Sequence, residues 1–240
     1  MATKTTTKAQ NEKLFVSDIR QKITFSIVES YKNTRTNIIS LMDKKNAKTL
    51  AISSPNAAEG KSTTALNLAI TISQLGKKVL IIDADTHRPS LHKKLKVDNS
   101  TGLLELIAGN TTLEQALHPH NEFLDVLSCN ASVSNPSEIL SSESFNQLLE
   151  DLKTRYDCII LDTPPVNPVS DALVIAQKVD IFVMVVRASS TTYEAFKKSI
   201  KALKVLDLAV DGIIINGADP RPKGYYKSKY SYYKSSKYYY

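Results

Sequence analysis

Thr49-Leu-Ala-Ile-Ser53-Ser-Pro-Asn-Ala-Ala-Glu-Gly60-Lys61-Ser62-Thr63 is the stretch on which the fold turns. Thr49 to Ser53 is a short apolar run that reads as a buried strand, and a helix is expected from Lys61 to about Leu75. The loop between them ends in Gly-Lys-Ser at the helix start. There, backbone N–H groups would face phosphate oxygens, Lys61 would reach the β- and γ-phosphates, and the Ser62 hydroxyl would ligate Mg²⁺. The pattern G-x-x-x-x-G-K-[ST] asks for glycine at position 55, where this chain has Pro55, so only Gly60 is present. A plain helix start capped by Ser62 is the competing reading, and the strand before the loop argues against it.

Outward from that loop, strands and helices alternate. A helix is expected from Ile27 to Met42, with Ile27, Ile38, Leu41 and Met42 on one side. Strands are expected at Val79–Ile82, Phe123–Ser128, Cys158–Leu161, Ile181–Val186 and Gly212–Ile215. Helices are expected around Leu103–Ile107 and over Ser137–Tyr156, Ser170–Gln177 and Thr191–Leu206. Several strands are continuous apolar runs, the mark of a parallel sheet covered on both faces. The expectation is a P-loop NTPase-like α/β fold with a mostly parallel central sheet and helices on both faces. The chain divides into a flexible segment 1–25, a P-loop domain 26–220 and a tail 221–240 with no apolar aliphatic residue beyond Pro222.

Ligands of such sheets bind at the carboxyl ends of strands. Asp83 and Asp85 end one strand and Asp162 ends another, so Ser62, Asp83, Asp85 and Asp162 are the candidate metal ligands. Each alone could be an ordinary strand-ending aspartate or helix cap; three beside a phosphate loop argue for one centre.

Composition narrows the class further. The net charge is +7, and Lys223 to Tyr240 supplies five lysines and no acid. The N-terminus has no apolar core that would make a signal peptide, and no stretch reaches the roughly 18 apolar residues of a membrane span. A cytoplasmic protein is expected. Cys129 and Cys158 read as buried free thiols, and His118 and His120, flanking Pro119, as a surface loop without a third metal ligand. Tyr225, Tyr226, Tyr230, Tyr232, Tyr233, Tyr238, Tyr239 and Tyr240 place eight of eleven tyrosines in the last sixteen residues. With no Leu, Ile or Val beside them, they cannot form a core. They could stack single-stranded bases, but next to a phosphate loop they read as phosphoacceptors, and no nucleic acid is expected.

These residues together resemble the bacterial tyrosine kinases of capsule and exopolysaccharide synthesis, members of the deviant Walker P-loop ATPases. Glu59-Gly-Lys-Ser-Thr63 is similar to their first Walker motif, with Ala58 where a second glycine is common. Ile81 to Pro89, with Asp83, Asp85 and Arg88, resembles the motif peculiar to that family, and Ile159 to Pro165 its second Walker motif, followed by Val169-Ser-Asp-Ala172. Asn216 stands where an asparagine lies near the base. Glu29-x-x-Lys32-x-x-Arg35 resembles a helical interface motif that packs subunits into a ring, with Lys32 replacing an arginine.

The resemblance implies a non-specific protein-tyrosine kinase using ATP and Mg²⁺, which autophosphorylates its tyrosine tail in trans and regulates polysaccharide synthesis and export. Lys61, Asp83 and Asp85 are the implied catalytic set, and Glu59, Gly60, Lys61, Ser62, Thr63 and Asn216 the implied nucleotide contacts. It further implies recruitment to the inner face of the membrane by an activator that is a polysaccharide co-polymerase, and a cognate phosphotyrosine phosphatase. A partition- or positioning-type ATPase switch would share Lys61, Asp83 and Asp162 but has no use for the tyrosines.

Overall fold

A computed structural model describes residues 25–129 and 136–218. Helix α1 (25–45) precedes β1 (Thr49–Ser53), α2 (Lys61–Ser73) and β2 (Val79–Asp83). Three short helices follow: α3 (Leu91–Leu95), α4 (Leu103–Ile107) and α5 (Leu113–Ala116). Then come β3 (Leu117–Asn121), β4 (Leu124–Leu127), α6 (Pro136–Ser141) and α7 (Glu143–Arg155). The described chain ends with β5 (Cys158–Asp162), α8 (Asp171–Ala176), β6 (Ile181–Arg187), α9 (Tyr193–Val205) and β7 (Gly212–Asn216).

The seven strands lie in the order β3-β4-β2-β5-β1-β6-β7. All neighbours are parallel except β3 and β4. β1, β2 and β5 are buried at every position, as continuous apolar runs must be when helices cover both faces. One core gathers Phe145, Leu149 and Leu152 of α7 with Ile175 of α8 and Leu203 of α9. The other gathers Ile38 and Met42 of α1, Leu68 and Ile72 of α2 and Leu91 of α3. Both cysteines are buried and neither is in a disulfide.

Three expectations are corrected. The helix over Ser137–Tyr156 is two helices, because Ser142 adopts an extended backbone and its hydroxyl caps α7 by accepting the Phe145 N–H at 3.3 Å. Ile27 does not join the buried side of α1; it is 51% exposed. His118-Pro119-His120 is not a loop but the middle of β3, antiparallel to β4 with an irregularity between Pro119 and Asn121. Proline is tolerated there because β3 lies at the sheet edge, where a missing N–H breaks no central ladder. Residues 1–24 and 219–240, including all eight candidate phosphoacceptor tyrosines, lie outside the described residues.

Replacing Ser142 with alanine removes the α7 cap and the bond that its hydroxyl donates to Ile139 O of α6 at 2.7 Å, so Ser142→Ala should lower unfolding stability by about 1 kcal/mol. Urea denaturation checks this through a shifted midpoint with an unchanged slope.

Candidate active site

The register of the central strands sets the site. β2 and β5 pair so that Asp83 lies opposite Asp162, and β1 pairs with β5 so that Ile52 lies opposite Asp162. The loop leaving β1 therefore begins beside both carboxylates. It runs along the loop after β5: Val166 N–H donates to Ser54 O at 2.9 Å, Asn167 N–H to Pro55 O at 3.1 Å, and Ser53 Oγ to Pro164 O at 2.7 Å.

The loop closes on two features. Ala58 and Gly60 both have positive φ, 64° and 100°. At Gly60 the conformation and the space both demand glycine, since a Cβ there would stand 2.0 Å from Asn216 Nδ2. That amide donates to Glu59 O at 2.9 Å, which places Asn216 against the loop. The Glu59 side chain turns inward, accepting from Thr191 Oγ1 at 2.7 Å and Asn56 N–H at 3.1 Å. Glu59 thus braces the loop with its carboxylate, and a nucleotide would meet its backbone. Arg187, at the end of β6, holds the outside of the loop through Ala58 O at 3.3 Å.

Helix α2 starts at Gly60 with no side-chain cap and no acid in its first turn. Its orphan N–H groups and positive dipole end are left for an anion. Lys61 reaches back from the first helical position. Its Nζ lies 2.6 Å from Asp85 Oδ2, 3.6 Å from Asp162 Oδ1 and 3.4 Å from Ser62 Oγ. Burial alone would pull the Lys61 ammonium down, but Asp162, Asp85 and Asp83 outweigh it and hold its pKa above the ordinary value. Thr63 is exposed on the first turn, with Lys94 Nζ at 3.3 Å.

The three aspartates differ in what they hold. Asp83 Oδ2 accepts the Ser90 and Leu91 N–H groups at 2.8 and 2.9 Å, and Oδ1 the Asp85 N–H at 3.3 Å. Its carboxylate thereby shapes the loop from 84 to 90. Burial and then the charge of Asp162 push Asp83 up to about 7, against those N–H bonds. Asp162 is fully buried, and neither of its oxygens has a hydrogen-bond partner. Burial pushes it up to about 6 although Lys61 pulls it down.

An orphaned pair of carboxylate oxygens beside a lysine and a serine hydroxyl suits a hard cation. Among the described residues no three His, Cys, Asp or Glu side chains converge into a complete metal cage. Mg²⁺ is ordinarily held by one or two carboxylates together with phosphate oxygens and water. Asp162, Ser62 and the Asp83–Asp85 strand end would hold it.

The structure thus brings together Glu59, Gly60, Lys61, Ser62, Asp83, Asp85, Asp162 and Asn216. Glu29, Lys32 and Arg35 lie elsewhere, on α1: Lys32 pairs with Glu29 at 2.8 Å, and Arg35 Nη1 donates to Thr71 O of α2 at 2.7 Å. Sequence reading missed Thr191 and Arg187, which carry no local motif; their roles depend on β6 lying beside β1.

Fold and loop together define a P-loop nucleotide-binding protein. A family model described as an AAA domain matches residues 47–208. Tyrosine-protein kinase YwqD of Bacillus subtilis is 37% identical over 205 residues, covering 84% of this chain and 86% of its own length. Tyrosine-protein kinase ptk of Acinetobacter johnsonii is 35% identical over 82% of this chain, which spans 27% of that longer protein. The kinase domain of the Escherichia coli tyrosine kinase ETK superposes with a TM-score of 0.76 at 33% identity, covering 83% of this chain and 78% of that one. The chain belongs to the bacterial tyrosine-protein kinases of capsule and exopolysaccharide systems.

Two outcomes follow from the geometry. Gly60→Ala should separate Asn216 from Glu59 and weaken Mg·ATP binding at least about tenfold by titration calorimetry, with the circular dichroism spectrum retained. A carboxylate whose folded pKa is raised stabilises the fold below its unfolded pKa, and this is lost as pH rises through the folded value. Asp162→Asn should therefore stabilise the nucleotide-free chain relative to wild type by about 2 kcal/mol at pH 8. The gain should vanish near pH 4, which paired thermal melts across that range would show.

Proposed function

We propose that this chain transfers the γ-phosphoryl group of ATP to tyrosine hydroxyls, those of its own C-terminal tail first, with Mg²⁺ as cofactor. The observation that carries the reading is Lys61, seated at an uncapped helix start among Asp85, Asp162 and Asp83. The tyrosine-protein kinase relatives and the eight tail tyrosines support it. When bound, Mg²⁺ supplies neutralisation of charge on the β- and γ-phosphates.

The protein's own part is positioning and proton transfer. Backbone N–H groups of residues 58–62 hold the phosphates, and the Lys61 ammonium stays charged as it moves from Asp85 to the γ-phosphate. The tyrosine oxygen forms its bond to phosphorus as the bond to the β–γ bridging oxygen breaks and ADP departs. The phenol, with an ordinary pKa near 10, must lose its proton. Asp83 and Asp85 are the acceptors. Asp83 is the better matched, because a base near 7 combines an available lone pair with driving force.

The finer parts of the reading keep to the same footing. Phosphorylation occurs in trans within a ring whose contacts include Glu29, Lys32 and Arg35; exposed Phe25, Ile27 and Val28 on the same helix support an interface there. Among the described residues no helix is long and apolar enough to cross a membrane. Relatives such as ptk are several times longer than their matched part. Recruitment to the membrane by a separate activator, a co-polymerase, with a phosphatase reversing the modification, belongs to the same proposal. Each phosphate adds about −1.5 to −2 charges, so three or four would cancel the five tail lysines.

Incubation with Mg·ATP, with and without an activator peptide, and mass mapping of phosphotyrosine tests this. Phosphate on the tail of wild type, absent in Lys61→Met and in a chain ending at Pro222, is expected. ATP hydrolysis with no phosphotyrosine in either condition would refute the kinase.

A further inference from the structure

Asp171, the first residue of α8, is 1% exposed, and its carboxylate faces Thr86, His87 and Ser137. Its Oδ2 accepts from Thr86 Oγ1 at 3.1 Å and stands 3.1 Å from His87 Nε2. Its Oδ1 accepts from Ser137 Oγ at 2.5 Å. One carboxylate therefore ties three separate segments: the loop after β2, the start of α6 and the start of α8. Thr86 is itself 5% exposed and directly follows Asp85, whose Oδ2 meets Lys61 at 2.6 Å and whose Oδ1 accepts the Arg88 N–H at 3.0 Å.

A strand-end loop bearing a phosphate-site carboxylate has no regular ladder to hold it. Here its inner end is held by Asp83 and its middle by Asp171. Displacement of a reacting group by about 1 Å can cost on the order of a hundredfold in rate. We propose that Asp171 is a positioning residue for phosphoryl transfer, fixing through Thr86 and His87 where Asp85 presents its carboxylate to Lys61 and the phosphates. Asp171 touches neither nucleotide nor acceptor; it acts through Thr86 and the loop. Through Ser137 the same carboxylate is also tied to α6.

The inference rests on the phosphoryl-transfer reading, and its test uses ATP hydrolysis so that the two can fail separately. Absence of phosphotyrosine in wild type would count against the kinase, whereas the comparison of variants below counts for or against Asp171. Steady-state hydrolysis by the full chain would be measured for Asp171→Ala, Asp171→Asn, Thr86→Val and the Asp171→Ala/Thr86→Val double variant. The expected result is a kcat lowered at least about tenfold in Asp171→Ala with KM for ATP within about threefold of wild type. Asp171→Asn, which can still accept from Thr86 and give an N–H to Ser137, should recover most of it. Thr86→Val should lower kcat by itself and add little in the double variant, because both remove one connection. The near-isosteric Thr86→Val guards against the case in which Asp171→Ala does not fold. A Thr86→Val enzyme with wild-type kcat, or fully additive effects in the double variant, would overturn the proposal.

Discussion

The site is held by one electrostatic arrangement: a single buried ammonium facing three carboxylates from two adjacent strand ends. In a low-dielectric pocket an uncompensated carboxylate is costly, and removal of the one cation would leave several. Lys61 is only 10% exposed at its side chain and sits closest to Asp85, while Asp162 lies 3.6 Å away with no hydrogen bond of its own. Asp83 is stabilised differently, by backbone N–H groups that at the same time fold the loop after β2. Each carboxylate thus has a separate means of tolerating burial. Burial raises the pKa of both Asp83 and Asp162, against the backbone N–H groups in the one case and Lys61 in the other.

Much of this was legible in the chain. The unbroken apolar runs at Val79–Asp83 and Cys158–Asp162 announced central parallel strands, and the polar residue ending each run announced the site. Gly60, Lys61 and Ser62 fell at the start of α2 as the motif requires. What stayed hidden depends on pairing. Thr191 reaches Glu59, and Arg187 the Ala58 carbonyl, because β6 lies beside β1. Nothing within a few residues of Thr191 or Arg187 signals this. The His118-Pro119-His120 run misled for the opposite reason: its local chemistry is that of a turn, and only β4 alongside makes it a strand.

The departures from the usual phosphate-loop pattern also acquire a physical account. Pro55, where a glycine is usual, keeps its carbonyl as the acceptor for Asn167 N–H and needs no donor of its own. Ala58 occupies the left-handed region that glycine favours, a conformation costing an alanine roughly 1 kcal/mol. The loop tolerates this because its carbonyl and its neighbour Glu59 are tied to Arg187, Thr191 and Asn216. Backbone freedom that two glycines would supply is replaced by side-chain bracing from β6 and β7.

The two ends of the sheet are defended unequally. At one end β3 is exposed at Pro119, His120 and Asn121, and the proline withholds an N–H, so its outer rim is a poor template for another strand. At the other, β7 presents Ile213 and Ile215, 52% and 63% exposed, on a strand whose one partner in the sheet is β6. A ribbon that grows without limit needs an adhesive rim at each end of every subunit. Among the described residues the sheet offers one, so strand pairing between copies through it would terminate at a closed pair.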